Sequence, residues 1–457
     1  MTSGPTPRPV RRAPTEFTLP VERAHLDRLV EGAPDWLAAD RTAGLTAFEA
    51  LPGETNLLYT TYLDLRPAEL EAATIHGTTA STAPPEAPLP DGVDGVLEIH
   101  DGVVVAGALS DEARAAGVTL TGLGHLLATD PARTKALLDE GGLLPTDDRF
   151  AQLTRALWSD GMVLEIPAGV HLARPILLRW AADAAGLAVL GRTVIRLGDD
   201  ASASVVEELV PGASGSAAGS PSFLAGSTEV HLGTGANLSM ASIQELGPRT
   251  VAFQHRSATI GEGATLHWAL AQLGSRMTRS RVDNRLIGDR SSVEQAEIVF
   301  GSGDQLFDLT SYTRHVGRDT TGNLLSKGAL LDRARGYLKG MITIDRSAVG
   351  TDSYLGEFGM NLSKQARSVA IPSLEIDQPD CRRAAHASSV GPIDETQLFY
   401  LESRGIPPDE ARKFIVLGFL EPVVARVPLA DAQDRLSALL ESKWDAGAGG
   451  PAADAAA

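Results

Sequence analysis

From Met162 to about residue 375, apolar and polar positions alternate in short β-branched runs broken by Gly, Asp and Asn, and no sustained helical period survives. One short pattern recurs there: an aliphatic residue, a Gly or Asp, two or three polar or small residues, then another small or aliphatic stretch. It stands as LGDDASASV at Leu197, LGTGANLSM at Leu232, IGEGATLHW at Ile260, IGDRSSVEQ at Ile287, VGRDTTGNL at Val316 and IDRSAVGTD at Ile344, in steps of 35, 28, 27, 29 and 28 residues. The long first step contains the insertion Gly212 to Pro221, rich in Gly, Ala and Ser. A period near 28 in strand-rich sequence predicts a solenoid, because one coil cannot bury its own apolar face and must stack on the next. A parallel β-helix over about 160–375 is therefore expected, in preference to an irregular β-sandwich.

The flanks follow other rhythms. Pro34-Asp35-Trp36 opens a helical stretch with Leu37, Leu45, Phe48 and Leu51, and Leu57 to Leu65 reads as extended. Thr78 to Pro90, with four prolines, predicts a loop. Val96 to Ala106 predicts two strands about the turn Asp101-Gly102, and Gly122 to Leu138 a helix. Beyond Val390 helices return. Asp394 is an N-cap with Gln397 at the third helical position, and Gly405 is a stop. Pro407-Pro408 starts a second helix carrying Ala411, Phe414, Ile415, Gly418 and Phe419 at three- and four-residue spacing, and a third runs from about Leu429 to Trp444. The expected organisation is a disordered tail over 1–15, an α/β N-terminal domain over 16–155, a parallel β-helix core over 156–390, a C-terminal helical domain over 391–444 and a disordered tail over 445–457.

Composition narrows the chemistry. The net charge of −18 speaks against nucleic acid and anionic membrane as partners. No apolar run of 18 residues or signal-like N-terminus is present, so a cytoplasmic protein is expected. The single cysteine, Cys381, can form neither an internal disulfide nor a four-cysteine cluster site. No P-loop, GxSxG, HExxH or paired-cysteine zinc motif occurs.

Several blocks in order resemble the SufB/SufD family of iron–sulfur cluster assembly scaffolds. His386 to Ile406, with FYL at Phe399-Tyr400-Leu401 and SRGI at Ser403-Arg404-Gly405-Ile406, carries the most specific part. Pro372-Ser-Leu-Glu-Ile376, Asp308 to Lys327 and Asp160 to Ile176 add to it, with weaker similarity at Glu54 to Leu65. The chain departs from many relatives in having Ala384-Ala385 before His386, where those have Cys-Ser, and Gly359 to Lys364 in place of Asn-Arg-Asn-Leu-Leu-Leu. The absence of a cysteine ligand set resembles the SufD side. The resemblance implies a mainly β fold, a right-handed parallel β-helix flanked by the α/β and helical domains, and a non-catalytic scaffold subunit. It further implies a SufB-like partner subunit, a SufC-like ATPase and a transient iron–sulfur cluster shared between subunits. It leaves room for a homodimer and for a flavin in the assembled complex, for which no residue here argues.

His386 is the leading candidate iron or cluster ligand, since a neutral imidazole binds iron and an interface can build a site from two chains. Cys381 and His315 are weaker candidates. If Cys381 and His386 share one extended segment, their odd spacing places them on opposite faces. A small hydrophobe and a hydrogen-bonded corner histidine are the competing roles for Cys381 and His315. Phe414, Ile415, Gly418 and Phe419 are the candidate ATPase-docking residues, against simple packing of the C-terminal helices. Glu207, Glu208, Glu229 and Glu245 offer a polar path for iron or a solvated face. Two other functions compete with the scaffold: an independent β-solenoid enzyme acting on polysaccharide or acyl substrates, and a SufB-like subunit that nucleates the cluster itself.

Overall fold

A computed structural model describes residues 13, 15–77, 82–140, 144–182, 184–212, 219–427 and 430–448. The middle of the Gly212 to Pro221 insertion, Leu429 and most of both expected tails lie outside the described residues. Residues 445–448 continue the last helix, Ala430–Ala448.

The chain winds into a flattened parallel solenoid in which each coil gives one strand to each of two sheets. The first sheet runs in the order Arg367–Ile376, Arg335–Ile344, Leu306–His315, Met277–Leu286, Thr250–Ile260, Ser222–Leu232, Leu187–Leu197 and Asp160–Ile166. The second runs Arg383–Gly391, Asp352–Asn361, Thr321–Leu330, Ser292–Gly301, Thr265–Gln272, Asn237–Gln244, Ser202–Val210 and Ile176–Ala181. Alternate residues of each strand face inward. One inward row of the first sheet is Leu197, Leu232, Ile260, Leu286, His315 and Ile344, all paired in register. The expected repeat is correct in period but one residue late at two coils: Leu286 and His315, not Ile287 and Val316, hold the inward place.

The recurring glycine of the pattern has a packing cause. At the corner after the first sheet, Gly198, Gly233, Gly261, Gly288 and Gly317 stack backbone on backbone. A Cβ on Gly288 would stand 2.0 Å from Glu262 N and 2.3 Å from Gly261 C. Replacing Gly288 with alanine is expected to cost about 2 kcal/mol, as overpacking a tight interior does. Urea unfolding, with its slope unchanged, is the measurement.

The N-terminal α/β region is joined to the solenoid rather than set beside it. Its hairpin Gly95–His100 and Val103–Leu109, turning at Asp101-Gly102, continues the second sheet through parallel pairing of Gly95–His100 with Ile176–Ala181. Thr119–Gly122 closes the first sheet antiparallel to Asp160–Ile166. The helix expected over Gly122 to Leu138 is two helices, Leu123–Thr129 and Pro131–Glu140, broken at Asp130-Pro131. Leu57 to Leu65 is not extended. Asn56 accepts from Leu58 N through its side chain and from Tyr59 N through its carbonyl, which curls the segment into turns and buries Tyr59, Leu63 and Leu65.

Helices cover both outer faces. Leu26, Leu45, Phe48, Phe150 and Leu153 pack on Phe223 and Phe253 of the first sheet. The C-terminal helices Pro408–Val424 and Ala430–Ala448 lie along the flank of the second sheet, not across its end. Val416, Leu420, Leu436 and Trp444 pack there on Ile243, Ala271 and Phe300. Burial on both faces explains why Thr250–Ile260 is buried at every position, where a one-faced strand would alternate.

Candidate functional site

The solenoid ends on two strands with open edges. Arg367–Ile376 and Arg383–Gly391 are terminal in their sheets, so each pairs on one side only. An unpaired strand edge is a template for another chain unless something blunts it, and Pro372 in the first of these strands removes one donor. Ile376 and Val390 add exposed apolar surface at this end.

His386 continues an inward row. Met240, Trp268, Gln295, Leu324, Leu355 and His386 are register partners from coil to coil of the second sheet. The first five are buried; His386 is exposed, because no coil follows it. Its imidazole makes no hydrogen bond or ion pair among the described residues, and Leu355 lies behind it. Glu357 stands two residues along from Leu355, in register with Ser388 and on the same inward face. It is buried, it accepts from Ile371 N at 2.8 Å, and burial pushes its carboxyl up to about 8. Nothing in the local pattern LGEF marks it as interior; only the register does.

Cys381 lies in the bend before Arg383–Gly391, not on the strand. The opposite-face expectation therefore does not apply. The half-buried thiol packs with Leu374 and Ala384 on the inward cluster of Leu324, Ile342, Ile344 and Leu355. Ala384 is two residues before His386 on one strand, hence on the same face.

His315 is fully buried in the first-sheet row. Its Nδ1 lies 2.8 Å from Thr320 Oγ1 and its Nε2 3.0 Å from Ser353 Oγ, so both nitrogens hold hydroxyls. Burial lowers its pKa from 6.5 to about 4. The unfolded chain therefore takes up the proton first. Stability from this site is whole above about pH 6.5 and falls as pH drops toward 4, by up to about 3 kcal/mol. Replacing His315 with glutamine should flatten that part of the pH–stability curve, read by urea unfolding from pH 4 to 7.

The four glutamates do not share one path. Glu207 faces the interior, where its Oε2 accepts from Arg256 Nη2 and Ser242 Oγ, each at 2.6 Å. Glu229 is outside on the first sheet, paired with Arg192 at 2.8 Å. Glu208 and Glu245 are outside on the second, held by Arg435 of the last helix.

The candidate docking residues divide by helix geometry. Phe414 is 59% exposed and Gly418 lies beside it one turn on. Ile415 and Phe419 are half-buried, and Phe419 packs on the second-sheet cluster, with its carbonyl accepting from Lys327 Nζ at 2.6 Å. The preceding helix, Glu395–Ser403, has no buried residue. Its Phe399 and Tyr400 are 72% and 56% exposed. Gly405 has the expected positive φ of 86°.

Among the described residues, no group of three or more His, Cys, Asp and Glu side chains could hold a metal ion. None of their helices is long and apolar enough to cross a membrane. Residues 180–419 match the SufBD core domain of SUF system FeS cluster assembly. The iron-sulfur cluster assembly protein SufD of Bacillus subtilis (strain 168) is 27% identical over 337 residues, 74% of this chain and 76% of that protein. An iron-sulfur cluster assembly SufBD family protein of Mycobacterium tuberculosis is 27% identical over 315 residues, 67% of this chain and 77% of that protein. One from Staphylococcus epidermidis is 26% identical over 283 residues, 62% of this chain and 60% of that protein. With the solenoid, the open-ended strands and the order of the matched blocks, the chain belongs to the SufB/SufD family of SUF-system iron–sulfur cluster assembly proteins, as a SufD-like member.

Proposed function

We propose that this chain is a cytoplasmic, non-catalytic scaffold subunit that pairs with a SufB-like subunit and a SufC-like ATPase to build and pass on nascent clusters. The observation that carries this is the open end of the solenoid, where an inward row terminates in exposed His386 beside two unpaired strand edges. A partner's strands laid on those edges would satisfy the free backbone groups and enclose the imidazole. The cluster is cargo, and His386 is one ligand whose companions come from across the interface. Cys381 and His315 stand behind it as secondary groups. The first is half-buried beside the same inward cluster; the second is open to metal only if its hydroxyl partners let go. A second copy of this chain is the competing occupant of the edge. A flavin is assigned to no residue here.

The ATPase docks on the exposed aromatic surface of Glu395–Ser403 and the start of Pro408–Val424, with Phe414 at its centre, Gly418 beside it and Ile415 and Phe419 beneath. Buried aromatic anchors commonly contribute about 2 kcal/mol or more to an interface.

Co-expression with SufB-like and SufC-like chains, followed by size-exclusion chromatography with mass determination, tests both surfaces. The expected species holds one copy of each β-helix subunit and two ATPases. Replacing Phe414 with glutamate should release the ATPase, weakening it by roughly 30-fold or more, while the β-helix pair survives. A monomer indifferent to both partners overturns the assignment.

A further inference from the structure

A groove of about 1060 Å³ runs along the corner between the second and first sheets, opposite the stacked glycines, between the loop at Arg66-Pro67 and the last helix. Its walls are basic in a chain whose net charge is −18. Six cations line it: Arg66, Arg249, Arg276, Arg333, Arg335 and Lys443. Three are neutralised by close ion pairs, Arg66 by Asp64 at 2.7 Å, Arg276 by Glu69 and Arg333 by Asp304, both at 2.6 Å. The other three are not. Arg335 makes no close pair: it stands 3.9 Å from Asp64, which Arg66 already holds, and its charge is felt by Asp304, which Arg333 already holds. Arg249 Nε is buried with no hydrogen-bond partner among the described residues. Lys443 donates only to neutral oxygens, Leu273 O and Gln305 Oε1.

Arg249 and Arg335 line one groove without close counter-charges, and burial lowers the pKa of Lys443 there to about 7, so a dianion bound between them would relieve the guanidinium groups and favour the charged ammonium. Guanidinium groups match phosphate oxygens two at a time. The space is larger than one phosphate needs and lies in the size range of small-molecule sites. Pro67 and Pro248 add apolar surface to its lining.

We propose that this groove binds a nucleoside diphosphate, with the diphosphate held by Arg249, Arg335 and Lys443 and the nucleoside resting against Pro67 and Pro248. The groove reaches the coil next to the open end, since Arg335 pairs in register with Arg367 of the terminal strand, but it opens at the corner between the sheets, includes none of His386, Cys381 or His315 in its lining and uses none of the exposed aromatics of the docking helices.

Calorimetric titration of the full chain at fixed ionic strength tests it, with ADP as one probe and inorganic pyrophosphate as the other. ADP is expected to saturate at one per chain and to bind at least tenfold more weakly to a variant carrying Arg249→Gln and Arg335→Gln. Arg290→Gln, on a remote corner, should bind as the unchanged chain does. Because the double variant could be altered in fold, hydrogen exchange on the unchanged chain gives a second reading. ADP should protect the backbone near residues 246–249, 274–276 and 303–306. Absent ADP binding at millimolar concentration, equal binding by the double variant, or protection elsewhere overturns the proposal. Pyrophosphate binding as tightly as ADP also overturns it, by reducing the site to one for phosphate oxyanions alone.

Discussion

Replacing Asp148 with alanine is expected to destabilise the protein by about 5 kcal/mol, the largest stability effect of any single substitution considered for this chain. Three jobs converge on this buried carboxylate. It caps the helix Arg149–Leu157, accepting from Phe150 N at 3.0 Å and Ala151 N at 2.8 Å. It pairs with Arg279 at 2.5 Å and with Arg281 at 3.2 Å, both on the strand Met277–Leu286. It thereby ties the N-terminal helices to the solenoid beside the ring cluster of Phe150, Phe223 and Phe253. Alanine would leave Arg279 buried without its direct partner, and breaking a buried pair on one side typically costs about 3–5 kcal/mol. Asparagine keeps the cap acceptor, so Asp148→Asn should lose about 1 kcal/mol less. Urea unfolding of the three proteins at pH 7 measures this, and a loss under about 1 kcal/mol for alanine would show that the network adds nothing net.

The same carboxylate has a pH signature. Although burial opposes its ionisation, Arg279 and Arg281 hold it well below the usual carboxylate range. Its folded value is depressed, so its contribution is whole above the unfolded value of about 4 and is lost as pH falls below that. His315 acts in the window above, from about 6.5 down to 4, so acid weakens the fold in two separable stages.

Replacing His386 with alanine should have the opposite profile, with little effect on the fold and a large one on cluster assembly. The side chain is exposed and makes no hydrogen bond among the described residues, so stability should change by under about 0.5 kcal/mol. In the reconstituted complex, cluster formation followed by visible absorbance should fall by at least about tenfold, because even groups that only support a metal ligand carry effects of that size. Chromatography should show the complex intact. Normal assembly with His386→Ala would remove the ligand role, and the parallel variant Cys381→Ala should lose far less.

Glu207, Arg256 and Ser242 show how a polar cluster can be interior without being a conduit. The carboxylate is held by its two neighbours inside the solenoid, while Glu208, the next residue, points outward to Arg435. Successive strand residues face opposite ways, so adjacent acids in sequence cannot line one passage. The iron path imagined through Glu207, Glu208, Glu229 and Glu245 divides among the interior and two outer faces for that reason.

The sequence alone determined the solenoid and the helical C-terminus, because these rest on short-range rules. Coils must match in length to stack, and their corners need glycine where backbone meets backbone, as at Gly261 and Gly288. The stop at Gly405 and the cap at Asp394 are likewise local and were legible. His386, Cys381 and His315 were legible as candidates from residue type and resemblance, but not their surroundings. Only tertiary structure decided that the hairpin at Gly95–Leu109 extends the second sheet, since its partner Ile176–Ala181 is about 80 residues away and neither segment encodes the other. It decided that Glu357 is interior near His386, that Cys381 turns inward in a bend, and that both nitrogens of His315 are held by hydroxyls. It also decided that Phe399, Tyr400 and Phe414 remain outside while Val416 and Leu420 go in. Apolar character says that a side chain gains by leaving water; which of several apolar side chains does so depends on the surface that meets the helix, here the flank of a sheet built from coils far away in sequence.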